Sequence, residues 1–248
     1  MITNKKIIPL IMLILIAIII GLILILKTKD KEANIVNNNE DLITGQNKLY
    51  YLGHASLRIV TQEGKVIYID PYMGDDYSLS ADLVLVTHSH YDHSDVSKVR
   101  NRTENFKLIT HREALVNGDY KTFDLGYAKI EAVEAGYNAY HNKSECVGYV
   151  ITLSDNTKIY VAGDTYLTPQ MEELGSWNID YAFFPCDGTF TMTTDEAVEA
   201  SRKVKAKHNI PYHVVSDGRG FDENVANAFN AENRLIIKPE EEIILTHE

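Results

Sequence analysis

Cysteine is scarce in this 248-residue chain: Cys146 and Cys186 are the only two, and no CxxC pair occurs. That excludes a thiolate zinc finger, and both cysteines read as small buried residues. A bond between them would need an oxidising compartment. The chain also lacks a GxSxG turn, so no serine-hydrolase elbow supplies a nucleophile. Positive charge is missing from most of the chain. Five lysines and one aspartate lie in the first 31 residues, leaving 19 basic against 34 acidic residues, a net −15, in the remainder. Phosphate contacts need Lys and Arg, so nucleic acid is not an expected partner.

One long apolar run is present. Residues 7–26, IIPLIMLILIAIIIGLILIL, carry no charge and have lysines on both sides. A helix of about 20 residues spans a hydrocarbon core of roughly 30 Å. The run is longer than a signal-peptide core, and neither a small-x-small cleavage site nor a lipid-accepting cysteine follows it. We therefore expect a short N-terminal segment at 1–6 and an uncleaved single-pass transmembrane anchor at 7–26. A polar, asparagine-rich linker at 27–47 follows. Lysines at both ends give the positive-inside rule little to separate; such short N-terminal anchors often leave the domain outside the cytoplasm, the placement expected here.

Residues 48–248 read as one domain. Short strands are expected at 48–52, 56–61 and 66–69 as an antiparallel meander, and a buried strand at 82–86. Further strands are expected at 107–110, 128–133, 147–153, 158–161, 181–184, 209–215 and 243–245. Helices are expected at 95–102, 112–116, 170–174, 194–206 (capped by Thr194) and 224–230. Four apolar strands run into polar loops at Asp70, His88, Asp164 and Asp187, and the first and second pairs look like two related halves.

The chemistry concentrates in VTHSHYDHSD, residues 86–95, directly after a buried strand. Residues two apart in an extended segment share a side, so His88 and His90 can hold one ion. Asp92 and His93 follow where the chain turns and can face a second. Imidazole and carboxylate suit Zn, Mn or Fe, and such donors with open positions mark a catalytic centre. Four residues do not complete two ion sites. Downstream, Asp164 in VAGDT offers a carboxylate able to bridge, and His141 and His213 each adjoin an expected strand. His111, His208 and His247 read as structural or incidental, with a place near the pocket open to His111; Asp187 reads as a turn residue that could also shape the pocket.

These stretches resemble the metallo-β-lactamase superfamily, and within it the lactonase-like, ascorbate-6-phosphate lactonase-type branch of small metal-dependent hydrolases. The resemblance rests on YLGHASLRI, IDPY, THSHYDHSD, AYHNKSECVGYVI, YVAGDT, PCDGTFTMTTDEAVEA and IPYH, in family order over 50–231. It implies a four-layer αββα sandwich with two divalent ions, zinc favoured and manganese or iron also suited. His88, His90 and His141 would hold one ion, and Asp92, His93 and His213 the other, with Asp164 bridging. Asp70 would orient a ligand histidine and His54 would lie beside the site. One departure is visible: this chain reads His141-Asn142-Lys143-Ser144 where the family has a His-Pro-Lys-Gly-like loop. The implied reaction is attack by a metal-bridged hydroxide on an ester, lactone, amide or phosphodiester, with Asp92 or Asp164 handling its proton. The expected substrate is a small molecule or a lipid or cell-envelope component. The alternatives are a non-hydrolytic di-iron redox module and a nuclease-type phosphodiesterase on the same fold.

Overall fold

The computed structural model describes residues 18–23, 42, 44–215 and 220–247. Residues 18–23 are helical. The rest of the expected anchor at 7–26, and most of the expected linker at 27–47, lie outside the described residues. Among the described residues no helix is long and apolar enough to cross a membrane. The chain divides into units 1–41 and 42–248, and the second carries the sheets.

That second unit opens with β1 (Asn47–Gly53), β2 (Ser56–Val60) and β3 (Val66–Ile69), paired antiparallel as expected for a meander. β4 (Ala81–Val86) and β5 (Arg102–Thr110) then add in parallel. A small ribbon, β6 (Leu115–Val116) with β7 (Asp119–Tyr120), leads to the second sheet. There β8 (Thr122–Asp124), β9 (Ala128–Glu134), β10 (Val147–Leu153) and β11 (Lys158–Val161) pair antiparallel. β12 (Tyr181–Pro185) and β13 (His208–Tyr212) follow in parallel. The final strand, β14 (Glu242–Leu245), returns to β1. β1–β5 and β9–β13 thus share one pairing order: antiparallel, antiparallel, parallel, parallel. The two halves suggested by the sequence have the same topology.

The sheets face each other across one core. Leu57, Ile67 and Leu83 of the first sheet meet Tyr149, Ile151 and Phe183 of the second in it. β2, β3, β4 and β12 are buried along their whole length. This explains sequences that run apolar without alternation.

The outer layers differ from the expected αββα sandwich. Four helices occur among the described residues of the domain: α1 (His111–Ala114), α2 (Met171–Leu174), α3 (Thr194–Val204) and α4 (Glu223–Ala228). α2, α3 and α4 cover the second sheet, where Met171, Leu174, Ala197 and Ala226 pack on Tyr160, Ala182 and Phe184. Over the first sheet, Tyr68, Val84 and Val86 are covered instead by Tyr77 and Val99, with a single 3-10 turn at Val96–Lys98. The helix expected at 95–102 is only this turn. Asp95 makes no side-chain cap bond, Val96 and Val99 are β-branched, and the chain extends from Arg102 into β5. The first half of β5 is mostly exposed, so no apolar periodicity marked it.

Thr193, rather than the expected Thr194, caps α3. Its hydroxyl accepts from the Glu196 N–H at 3.3 Å, and the Glu196 carboxylate accepts from the Thr193 N–H at 2.8 Å. This reciprocal box satisfies two amide donors that the helix itself leaves open. Thr193→Ala is predicted to cost about 1 kcal/mol in denaturant unfolding, and Thr194→Ala clearly less. Equal losses would move the cap back to Thr194.

Candidate metal centre

The strand ends bring the scattered candidates together. Asp70 follows β3 and His88 follows β4 by two residues. Asp164 lies just past β11, Asp187 past β12, and His213 directly after β13. The β1–β2 turn carries His54, and the β9–β10 loop carries His141. Equivalent positions in the two halves therefore supply equivalent groups: Asp70 and Asp164, His54 and His141.

Asp164 is the centre of the cluster. It is buried, and ring nitrogens approach it from four directions. His93 Nε2 and His141 Nε2 lie at 3.3 Å, His213 Nε2 at 3.5 Å and His88 Nε2 at 4.0 Å. His90 Nδ1 is 3.2 Å from His141 Nε2. On the other side, Asp92 Oδ2 is 3.3 Å from His54 Nε2. Donor atoms fall into three groups, each within 4.8 Å: His88, His90 and His141; His88, His93 and Asp164; and His54, Asp92, His93 and His213. All seven expected ligand candidates meet at this edge. His54 stands nearer than a bystander, its ring centroid 3.8 Å from that of His213.

Supporting contacts hold these rings in place. Asp70 accepts from the Thr87 N–H at 2.8 Å and from the Thr87 hydroxyl at 2.7 Å. His93 Nδ1 donates to the same carboxylate at 2.8 Å, which leaves Nε2 facing Asp164. Asp187 holds a turn and also reaches one of the candidate ligands. One oxygen does accept the Thr189 and Phe190 N–H groups, at 2.6 and 2.7 Å. The other, however, lies 3.1 Å from His213 Nδ1. Its place two residues beyond β12, close to a strand end as Asp70 is to that of β3, was the available signal. His54, Asp70 and His213 all have positive φ, at 54°, 46° and 50°. Such backbone strain in non-glycine residues collects at functional sites.

Protein charges alone push these groups in opposite directions. Burial lowers the pKa of His88, and the His93 charge adds to that. Burial also opposes charging His93, but the Asp164 and Asp70 carboxylates outweigh it and hold its pKa well above the ordinary 6.5. For Asp164, burial favours the neutral acid, yet His213 and His93 hold the carboxyl well below the usual range.

Two observations fit this set to divalent ions. The Nε2 atoms of His88, His93 and His213 are buried and make no hydrogen bond. Leaving a buried polar atom unpaired costs about 1–3 kcal/mol, and a cation would accept these lone pairs. The donors are imidazole and carboxylate without thiolate, as in catalytic rather than structural sites. Cys146 and Cys186 are free and buried, in line with their sequence reading.

The remaining histidines lie in other contacts. His111 is the first residue of α1, His208 stacks on Tyr181 with centroids 4.8 Å apart, and His247 Nδ1 lies 3.1 Å from Asp180. A cavity of about 530 Å³ opens on the cluster, with Tyr91, Tyr140 and Phe190 around it. Sequence reasoning did not single out these three aromatics, because nothing local distinguishes them from other loop residues.

A family model described as "Beta-lactamase superfamily domain" matches residues 48–213. A curated protein from Pyrococcus furiosus, a UPF0173 metal-dependent hydrolase, is 32% identical over 80% of this chain and 99% of its own. A solved structure from Parabacteroides distasonis is 27% identical, covers 78% of this chain and 93% of its own, and superposes with a TM-score of 0.64. Igni18, a metallo hydrolase from Ignicoccus hospitalis, is similar in fold alone: 22% identity, TM-score 0.61, 82% and 100% coverage.

Two substitutions test how the cluster is held. Asp70→Asn removes the negative charge that faces His93 Nδ1 and is predicted to weaken metal affinity by about 10–100-fold without unfolding the domain. Gly163, at φ +66°, lies where a Cβ would meet Val147 O at 2.8 Å. Gly163→Ala is predicted to destabilise by more than about 1 kcal/mol and to lower metal content through the displaced Asp164. Calorimetric metal titration and thermal unfolding check both, and unchanged metal affinity in Asp70→Asn would count against the assigned role.

Proposed function

As the chain belongs to the β-lactamase superfamily, among the UPF0173 metal-dependent hydrolases, we propose that it hydrolyses an ester, lactone or amide at a two-metal centre built on this cluster. The observation that carries the reading is the convergence of four buried imidazoles on Asp164 with their Nε2 atoms turned to one spot. In this reading His88, His90 and His141 hold one ion, and Asp92, His93 and His213 the other, with Asp164 between. Zinc suits the donors best; manganese or iron would also bind. Bound there, the ions would polarise the scissile carbonyl and bring the pKa of water into the neutral range.

The chain's own groups do the rest. Asp92 borders the cavity and is the carboxylate placed to take a proton from the attacking water and return it to the leaving group. His54 limits its motion through the 3.3 Å contact. The Asp92 carboxyl stays ionised: burial opposes this, but His54 and His93 hold its pKa well below the usual range. Asp70 and Asp187 orient His93 and His213. The pair His88 and His90, where di-iron redox members of the superfamily carry an acidic ligand, favours hydrolysis over the di-iron redox alternative. The net −15 beyond residue 31 disfavours a nuclease.

The apolar run at 7–26 would tether the domain to a membrane, with the domain on the extracytoplasmic side and a small-molecule, lipid or envelope substrate nearby. Carbonate-resistant membrane association and protease accessibility on intact cells would test that placement; release by carbonate would refute it.

Four outcomes are expected for the reaction. Elemental analysis of the purified full-length protein should find close to two divalent ions per chain. Chelation should abolish turnover on a carboxyl-ester panel while the far-ultraviolet spectrum persists; undiminished turnover would end the proposal. Asp92→Asn should cut kcat by roughly 10²–10⁴. Metal content and turnover should both fall in acid, because protons compete with the ions for the ligand imidazoles, which must be neutral to bind.

A further inference from the structure

The cavity has two unlike walls. Its floor is the histidine and aspartate cluster. Its rim is aromatic: Tyr91, Tyr140 and Phe190 are 76%, 54% and 47% exposed. Large aromatic side chains left this open, gathered around one mouth, mark a contact surface.

The rim is built rather than loose. Tyr140 and Phe190 meet edge to face, with centroids 5.0 Å apart and planes at 78°. Asn138 ties their loops together. Its amide donates to the Phe190 carbonyl at 2.9 Å, and its oxygen accepts the Tyr140 and His141 N–H groups at 2.8 and 2.7 Å. Asp187 fixes Phe190 from the other side through the Phe190 N–H at 2.7 Å. Two rings from separate loops are thus held as a right-angled corner beside the metal ligands His141 and His213. A flat apolar group can lie on one ring and meet the edge of the other, the arrangement aromatic pairs favour.

Charge narrows the occupant further. No lysine or arginine lines this cavity among the described residues. Lys143, in the same loop as Tyr140, lines neighbouring grooves instead and sits 5.5 Å from the centre of the Tyr137 ring. A carboxylate or phosphate on the part of a substrate remote from the reacting carbonyl would lose water and find no cation among the described lining residues.

We propose that the Tyr140–Phe190 corner, with Tyr91 on the same rim, is the specificity subsite and selects substrates whose non-reacting portion is uncharged and aromatic or otherwise flat and apolar. This rests on the hydrolase reading and narrows it.

The test separates the subsite from the metals. Acetohydroxamic and benzohydroxamic acids share one metal-binding head and differ in the group offered to the rim. On full-length, zinc-loaded protein, calorimetry should find benzohydroxamate bound at least about tenfold more tightly, in line with burial of a ring against two others. The double substitution Tyr140→Ser, Phe190→Ser should bring that ratio to within about threefold while acetohydroxamate affinity stays unchanged, which also reports that the centre remains folded. A 4-carboxy derivative of benzohydroxamate should bind more weakly than its parent. A ratio near one in the wild type, a ratio preserved in the double variant, or tighter binding of the carboxylated probe would each overturn the proposal while leaving the hydrolase reading intact. Failure of both hydroxamates to bind would overturn both.

Discussion

A carboxylate cannot be buried without compensation, and Asp164 is buried at the edge where the two sheets meet. The cost of removing such a charge from water is several kcal/mol even after relaxation. Its surroundings follow from that constraint. Imidazoles of His88, His93, His141 and His213 arrive from three different loops, the first two from the one after β4. Asp70 and Asp187 then hold two of those rings from behind. Removing any member leaves others buried without partners, so the cluster behaves as one unit.

The sheets must close tightly for this to occur. The Val147 N–H donates across the interface to the Thr87 carbonyl at 3.0 Å, and the His213 N–H to the His54 carbonyl at 2.9 Å. The Tyr149 hydroxyl adds a bond to Val86 O at 3.1 Å. Gly163 permits this approach because no side chain separates Thr87 from Val147. The repeated strand order places the same kinds of groups on both sides of the seam. One half contributes the histidine-rich loop, and the other contributes Asp164, Asp187 and His213.

Function is divided between two kinds of surface. The buried floor of the cavity is polar and held by hydrogen bonds, ion pairs and, when loaded, metal. Its rim is apolar and held by Asn138 and Asp187 through backbone contacts. Asp187 links them, touching His213 with one oxygen and the Phe190 N–H with the other. A side chain at the rim is therefore mechanically close to a histidine of the buried cluster.

Most of the metal cluster was legible in the linear chain, because HxHxDH after an apolar strand compresses four ligand candidates into six residues and isolated ligands follow other strand ends. Strands buried on both faces were equally plain from their apolar runs. Short exposed elements were not: the first half of β5 and the 3-10 turn bury too little to leave a period. The second role of Asp187 was hidden because its turn contacts lie within four residues while its histidine partner is 26 positions away. The aromatic corner was hidden for the same reason, since Tyr140 and Phe190 are separated by 50 positions and meet only across two loops. Residue type and spacing thus determined which chemistry this chain could support. Only the tertiary structure decided which groups share a wall of the cavity, because packing of the two sheets, not sequence distance, sets what lies within a few ångströms.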